Sequence, residues 1–154
     1  MEYLVRAARI TDIDRLVALS DRQANSLPES GPIAGDLLRQ LVYIPQASVF
    51  VAESRRELVG GAVLVLRPSV RAGGYVGTVD VLVVDSDYDT DHVTRALLEE
   101  VLRSAGNKGC SVVEIVQPED PRERTRLERE GFTEGKPFMQ RVVGAVGAVA
   151  PRSR

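Results

Sequence analysis

The chain has 154 residues, of which 44% are apolar and 27% are charged, and its formal net charge is −2. These values are ordinary for one globular domain with a full hydrophobic core, and they exclude a strongly basic surface for nucleic acid. No apolar run is long enough to span a bilayer, Met1 does not begin a signal peptide, and the single cysteine, Cys110, cannot form an intrachain disulfide. We therefore expect a cytoplasmic protein with no nucleic-acid or membrane partner.

The N-terminal part predicts a strand, a helix and a loop. Leu4 to Ile10 is predicted to form the first strand. Thr11 and Asp14 have the spacing of a capping box, and apolar residues at helical spacing predict a helix that continues to about Asp21. Proline and glycine residues then predict a loop from Gln23 to Gly35.

A second, short helix and a strand hairpin follow. The helix is predicted from Ile33 to Val42, and a polar turn of hairpin length joins strands from Ser48 to Ser54 and from Leu58 to Leu66. The loop after the hairpin carries Arg67 and Arg71. An arginine pair beside a cleft recognises carboxylates or phosphates, although such arginines are more often solvated loop charges.

The fourth predicted strand, Tyr75 to Val84, is apolar on both faces, which is typical of a buried central strand. Strict alternation would place Val79 on one face and Asp80 and Leu82 on the other. Asp80 is the only carboxylate within this strand. Burial there would make it a stronger proton acceptor and a candidate base for an ammonium-bearing substrate. The alternative is a carboxylate that is hydrogen-bonded within the sheet or faces solvent.

An acidic loop links this strand to the next helix. Its carboxylates belong to Asp85, Asp87, Asp89 and Asp91. A buried strand that leads through a tight loop into a helix N-terminus often forms an anion site, because free N–H groups and the helix dipole face the ligand. Asp91 or Thr90 is expected to cap the helix, and acids near its start stabilise it by about 0.3–1 kcal/mol each.

The same acids also resemble the start of a calcium loop. Thr90 and Ala96 occupy the positions where that loop needs glycine and glutamate, so the signal is weak. His92 is the only histidine and is expected to be a surface residue without partner ligands. The sequence therefore predicts no metal site.

The last third predicts one more strand, a charged helix and two final strands. Cys110 to Val116 is the strand, with Glu114 as its polar exception, which faces either a cleft or water. Pro121 to Glu130 is the helix, capped by Asp120. Phe132 to Val143 is expected to supply the final two strands. The end of the chain, from Gly144 to Arg154, is expected to be a loose tail.

The stretch from Thr78 to Val101 resembles the core motif of the GNAT superfamily of acyltransferases. In that family a Leu-Val-Val-like strand end leads to a loop of the type Arg/Gln-x-x-Gly-x-Gly/Ala and to a helix with a Leu-Leu pair. Leu58-Val59-Gly60-Gly61-Ala62 resembles the third strand of the family, and Gly131-Phe132 the pair that closes its last helix. The resemblance covers about residues 3 to 143. It implies an α/β (α+β) domain over residues 1–143, with a mixed, mostly antiparallel sheet of about seven strands and helices on both faces.

The resemblance also implies a reaction. Its co-substrate would be acetyl-CoA, held through its pyrophosphate by loop N–H groups, and its acceptor an amine of a small molecule or peptide. The positions that match the cofactor site are Leu82, Val83, Val84, Asp89, Thr90, Asp91, His92, Val93 and Thr94. Asp80 stands where many relatives carry an acid that acts as base. A homodimer is a further implication, to which Val142 to Val149 could contribute.

Two positions depart from the family pattern. The loop lacks both glycines and has Asp89 where Arg or Gln is usual, so side chains and like charge oppose a phosphate. Leu127 stands four residues before Gly131, where many members place a tyrosine that protonates the departing thiolate. Two alternatives therefore stay open: a GNAT-fold binding or structural module that has lost acyl-CoA, and an enzyme whose donor has fewer phosphates or is cationic.

The charged helix allows two interpretations. In the family it lies beside the CoA tail, where basic residues can meet phosphates. The arginines available for this are Arg122, Arg124, Arg126 and Arg129. The glutamates between them favour a solvated helix face with i,i+4 ion pairs.

Overall fold

The computed structural model describes residues 2–24 and 33–144. In these ranges the strands are β1 (Leu4–Ala7), β2 (Ala47–Ser54), β3 (Glu57–Ser69), β4 (Gly74–Val84) and β5 (Cys110–Ile115). The α-helices are α1 (Ile13–Ala24), α2 (Gly35–Leu41), α3 (Thr90–Asn107) and α4 (Pro121–Arg129), and a short 3-10 helix spans Ile10–Asp12. Within the same ranges, no helix is long and apolar enough to cross a lipid bilayer.

The strands form one sheet in the order β1-β2-β3-β4-β5. Neighbours are antiparallel except β4 and β5, which run parallel because α3 provides the crossover between them. The predicted mixed, mostly antiparallel sheet is confirmed. Its predicted size of about seven strands is wrong, because the described residues contain five.

The two missing strands were expected between Phe132 and Val143, where the structure has no regular element. Pro137 has no N–H group to donate to a strand ladder. The side chains of Phe138 and Met139 are exposed, so no core contact fixes the alternation of this segment. Of the predicted tail, only Gly144 is among the described residues, and most of the apolar segment Val142 to Val149 lies outside them.

Helices cover both faces of the sheet, as predicted. On one face, a buried cluster joins α3 to the sheet through Val93, Leu97, Val101, Ala62, Leu64 and Val79. On the opposite face, a second cluster joins α1 and α2 to the sheet through Ile13, Leu16, Leu19, Leu38, Val51 and Val63.

Two glycines of β3 allow the helices to lie close to the sheet. A Cβ atom at Gly61 would collide with the side chain of Leu16 in α1. A Cβ atom at Gly60 would lie 3.0 Å from side-chain atoms of both Leu97 and Val93 in α3. The adjacent glycines therefore accommodate a helix on each face.

A β-bulge interrupts the pairing of β3 with β4. Val63 lies opposite Val81 and Leu64 lies opposite Val79, so Asp80 is an extra residue on β4. As a result, Val79 and Leu82 both pack in the α3 cluster. The predicted strict alternation is therefore wrong at Asp80.

Asp12, rather than the predicted capping box at Thr11, organises the start of α1. Its buried carboxylate accepts the backbone N–H of Arg9 at 2.7 Å and two hydrogen bonds from the Arg6 guanidinium at 2.7 and 3.1 Å. Arg6 Nε also donates to Glu53 at 2.8 Å. The hydrogen bonds from Arg6 are the main reason that the pKa values of Asp12 and Glu53 lie below their usual range.

Candidate active site

β4 and β5 are paired over only part of their length. Their register runs from Tyr75 opposite Cys110 to Val79 opposite Ile115, where β5 ends. β4 continues to Val84, paired with β3 on one side and with no described strand on the other. A strand edge without a partner presents free N–H and C=O groups. The two strands therefore bound a cleft with one hydrogen-bonding wall.

Asp80 lies where this cleft begins, on the bulge of β4. Its neighbours Val79 and Val81 pack on opposite faces of the sheet, and Asp80 is the extra residue between them. The side chain is exposed, so the expected burial is wrong and the alternative of a carboxylate that faces solvent is the one observed. The carboxylate on the bulge is therefore open to solvent.

Asp89 caps α3, and the predicted caps at Thr90 and Asp91 are wrong. The Oδ1 atom of Asp89 accepts the backbone N–H of His92 at 3.2 Å. Helix geometry leaves the N–H groups of Thr90 and Asp91 without acceptors inside the helix. These two donors at the positive end of the helix dipole are suited to an anion.

Asp85 is held by the protein itself. Its Oδ1 atom accepts the backbone N–H of Asp87 at 2.9 Å, and its Oδ2 atom lies 3.8 Å from Arg22 of α1. The backbone N–H of Asp85 donates to Val59 in β3. These contacts fix the loop on the sheet, so the first acid of the predicted calcium-like pattern has a structural role. No group of three or more His, Cys, Asp or Glu side chains in the described ranges is arranged to hold a metal ion.

Ion pairs tie the first turns of α3 to the last turns of α4. Arg126 Nε donates to Asp91 Oδ1 at 2.6 Å, and Arg129 lies 3.5 Å from the same carboxylate. One turn further along α3, Arg95 Nε donates to Glu130 at 3.2 Å. The hydrogen bond from Arg126 is the main cause that holds the pKa of Asp91 below its usual range.

These pairs change the interpretation of the acidic loop. The carboxylate of Asp91 is ion-paired with Arg126 and Arg129. The start of α3 is therefore not the unpaired acidic surface that the sequence indicated. The interpretation of α4 as a purely solvated face is also incomplete, because two of its arginines point to α3. Sequence spacing could not reveal this contact, since Asp91 and Arg126 are 35 residues apart.

The remaining residues predicted to bind a cofactor are divided between surface and core. Val93 and Thr94 belong to the first turns of α3 and their side chains are buried, so only their backbone atoms could take part in binding. His92 is exposed, and its ring lies edge-on to Tyr3 with centroids 5.7 Å apart. At the end of β4, Leu82 and Val84 pack partly against the α3 cluster while Val83 packs against the opposite one. Their contribution to a site is therefore their backbone.

Arg67 and Glu114 lie beside the part of β4 that is still paired with β5. Arg67 Nη2 in β3 is 3.5 Å from Glu114 Oε1 in β5, so this ion pair crosses over β4. Glu114 is opposite Thr78 in the parallel register. Arg71 lies in the turn between β3 and β4 and is exposed, so the predicted arginine pair is not brought together around a common pocket.

Leu127 and Arg124 are one turn apart on α4. Leu127 is buried. Arg124 Nη2 donates to the backbone oxygen of Glu119, in the loop that follows β5, at 3.3 Å. Arg124 Nε is the one buried side-chain nitrogen or oxygen without a hydrogen-bond partner in the part of the chain that the structure describes. Nothing in the sequence pattern distinguishes Arg124 from the other arginines of its helix.

Comparison with known proteins adds a family to this geometry. Residues 6–132 match the model of the acetyltransferase (GNAT) family. No curated protein sequence matches the chain.

Solved structures share the fold at low sequence identity. A ribosomal-protein-alanine N-acetyltransferase from Brucella melitensis biovar Abortus 2308 is 16% identical with a TM-score of 0.73, over 94% of this chain and 100% of that one. An aminoglycoside acetyltransferase from an uncultured soil metagenomic sample, in complex with sisomicin, is 14% identical with a TM-score of 0.73, over 93% and 96%. A predicted acetyltransferase from Clostridium acetobutylicum, with acetyl-CoA, is 14% identical with a TM-score of 0.74, over 90% and 95%.

Proposed function

Because this chain belongs to the acetyltransferase (GNAT) family, we propose that it transfers an acetyl group from acetyl-CoA to an amine of a small molecule or peptide. The observation that carries the proposal is the separation of β4 from β5 after Val79 and Ile115. The separation opens a cleft beside a strand edge with unused backbone groups, next to the N-terminus of α3. A strand edge and a helix N-terminus are the two backbone features that suit an extended amide chain ending in phosphates.

The residues around the cleft fit such a ligand. The unpaired edge of β4, up to Val84, would form backbone hydrogen bonds with the amide groups of acetyl-CoA, as a sheet edge does with an added strand. The N–H groups of Thr90 and Asp91 would hold its pyrophosphate, with Arg126 and Arg129 close enough to offset the charge of Asp91. When bound, acetyl-CoA supplies an acyl group that is activated as a thioester.

Asp80 would act on the acceptor. Its exposed carboxylate accepts a proton from the ammonium group, directly or through a water molecule, and so makes the amine nitrogen nucleophilic. Backbone N–H groups of Leu82 to Val84 that face the cleft would steady the carbonyl oxygen on which negative charge develops.

The alternative of a binding or structural module without acyl-CoA is not favoured. It depended on four acids at the phosphate position and on Leu127. In the structure Asp91 is paired with Arg126, Asp85 is fixed by Arg22 and by backbone, and Asp89 caps α3. Three of the four acids therefore have partners that account for them without a loss of function.

The test is a thiol-release assay with acetyl-CoA and a panel of amines of differing charge. We expect turnover with at least one amine, and we expect Asp80→Asn to lower kcat/KM by about 100-fold with little change in thermal stability. Glu99→Gln serves as the matched control, because it replaces an exposed carboxylate on the third turn of α3 with a carboxamide. This variant should keep full activity. Equal activity and an equal pH–rate profile for Asp80→Asn and the control would remove Asp80 from the reaction.

A further inference from the structure

The segment that follows α4, residues 133–144, lies on the surface along its whole length, and we refer to it as the arm. Every residue of the arm is exposed and none belongs to a helix or a strand. Within the described ranges the arm makes no hydrogen bond and no ion pair. Its large apolar side chains are between 64% and 100% exposed, and they belong to Phe138, Met139, Val142 and Val143. Single exposed apolar residues are ordinary, but four within six residues indicate a contact surface.

The outer edge of β5 is a second surface without a partner. β5 is the last strand in the order of the sheet, and among the described strands it pairs only with β4. Val112 in β5 is 49% exposed, and Val116 just after the strand is 83% exposed. An unpaired strand edge beside exposed apolar side chains is a place where a further strand can add.

The arm and the edge of β5 match in length and composition. The stretch from Phe138 to Val143 has six residues, and β5 also has six. Phenylalanine and valine are among the residues that favour strands. Pro137, which has no N–H group to donate to a strand ladder, comes before this stretch and not within it. The stretch is therefore suited to become the strand that β5 lacks.

The arm does not reach the β5 strand of its own chain. Its exit from α4 is fixed, because the N–H of Gly131 donates to the oxygen of Glu128 at 3.0 Å and the N–H of Phe132 donates to the oxygen of Leu127 at 3.1 Å. Gly131 has a φ angle of 94°, the left-handed conformation that commonly ends a helix. The chain thus leaves α4 in a set direction and stays exposed from residue 133 onward.

We propose that two copies of this chain exchange their arms, so that the stretch from Phe138 to Val143 of each copy adds as a strand to the outer edge of β5 in the other. A twofold axis makes the two contacts identical. Each copy contributes the arm and the six residues of β5, which approaches the about 20–30 residues that a standard interface takes from each side. The exchange involves neither Asp80 nor the edge of β4, so it is independent of the proposed reaction.

The two lysines of the chain mark the two sides of this contact. Lys136 lies in the arm, and Lys108 lies two residues before β5. A lysine-reactive cross-linker with a reach of about 20 Å, the length of a six-residue strand, is applied to unlabelled and isotope-labelled protein that were refolded together. Mass spectrometry then identifies the linked peptides. We expect links between Lys108 and Lys136 that join a labelled to an unlabelled peptide. Links between these lysines only within one label, or none at all, would overturn the exchange.

The oligomeric state of arm variants tests the same contact without a cross-linker. Light scattering over a range of concentrations should give the mass of a dimer for the native protein. Met139→Asp with Val142→Asp should raise the dissociation constant of the dimer by at least about 100-fold, because the two charges enter the contact on both faces of the added strand. This variant should fold, since both side chains are exposed in the single chain.

Val70→Asp with Tyr43→Asp is the matched control, because these residues are 102% and 74% exposed and lie outside the arm and β5. The control should remain a dimer, and circular dichroism checks that all three proteins are folded. A monomeric native protein, or a dimer that persists equally in the arm variant and the control, would contradict the exchange. Either result would leave the proposed acetyl transfer untouched.

Discussion

Arg6 connects three parts of the chain through one guanidinium. It belongs to β1, donates to Asp12 at the start of α1, and donates to Glu53 in β2. The side chain of Asp12 is only 4% exposed, so its charge is largely removed from water and depends on Arg6. Breaking one partner of a buried pair leaves the other charge uncompensated, which is the costly case for ionic interactions.

We predict that Asp12→Asn lowers the free energy of unfolding by about 3 kcal/mol at pH 7. The pKa of Asp12 is lowered by folding, so its contribution is present above its ordinary value and is lost as pH falls through the folded value. The difference between variant and native protein should therefore shrink below about pH 4. Urea unfolding at pH 7 and pH 3 measures both values, and an equal difference at the two pH values would contradict this assignment.

The positions of Asp12 and Asp80 were not predicted correctly from the sequence, and the reason is the same for both. The Thr11–Asp14 pattern indicated a local cap, but the carboxylate that caps is Asp12, which accepts the N–H of Arg9 three residues earlier and is paired with Arg6 in β1. Asp80 looked buried because its neighbours are apolar, whereas a single bulge turns it outward. In both cases the pairing with other elements of the fold, and not the local sequence pattern, determines where the side chain lies.

At the scale of elements, α4 is joined to α3 by charge. Asp91 competes with any bound phosphate for Arg126 and Arg129, and it lies at the end of α3 where a phosphate would bind. Asp91 is about half exposed, so its ion pairs add little to stability. Their larger effect falls on the affinity for an anion.

We predict that Asp91→Asn tightens the binding of acetyl-CoA by about fivefold, which corresponds to about 1 kcal/mol. The change frees both arginines for the phosphates and removes a like charge. Isothermal titration of the two proteins at the same salt concentration measures the difference. Asp87→Asn is the control for net charge, because Asp87 is exposed in the same loop and is not paired with these arginines. Weaker binding by Asp91→Asn, or an equal gain in the control, would show that Asp91 does not occupy the phosphate position.

The secondary structure up to α4 was predictable from periodicity, and the cleft was not. Helical apolar spacing and alternating strands gave β2, β3, β4, α3 and β5 close to their observed bounds. Strand pairing determines that β5 ends at Ile115 and that β4 continues to Val84. This pairing cannot be read from the local sequence pattern. For the same reason the segment from Phe132 to Val143 was wrongly expected to form two strands.

At the scale of the whole molecule, two helical layers hold a five-stranded sheet that opens at one end. The glycines of β3 let α1 and α3 pack on opposite faces of the same strand. On the β5 side of the sheet, ion pairs tie α4 to α3. The fold thus combines an unpaired strand edge and a helix start with a charged helix that is ion-paired to that helix start.

The central claim is that this open end binds acetyl-CoA in spite of its acidic loop. Calorimetric titration of the purified protein with acetyl-CoA and with free CoA, at low and at moderate salt, tests it most directly. We predict one site per chain with a dissociation constant in the micromolar range, about −8 kcal/mol at 1 μM, that weakens as salt is added. No binding at millimolar ligand, in a protein that circular dichroism shows to be folded, would contradict it.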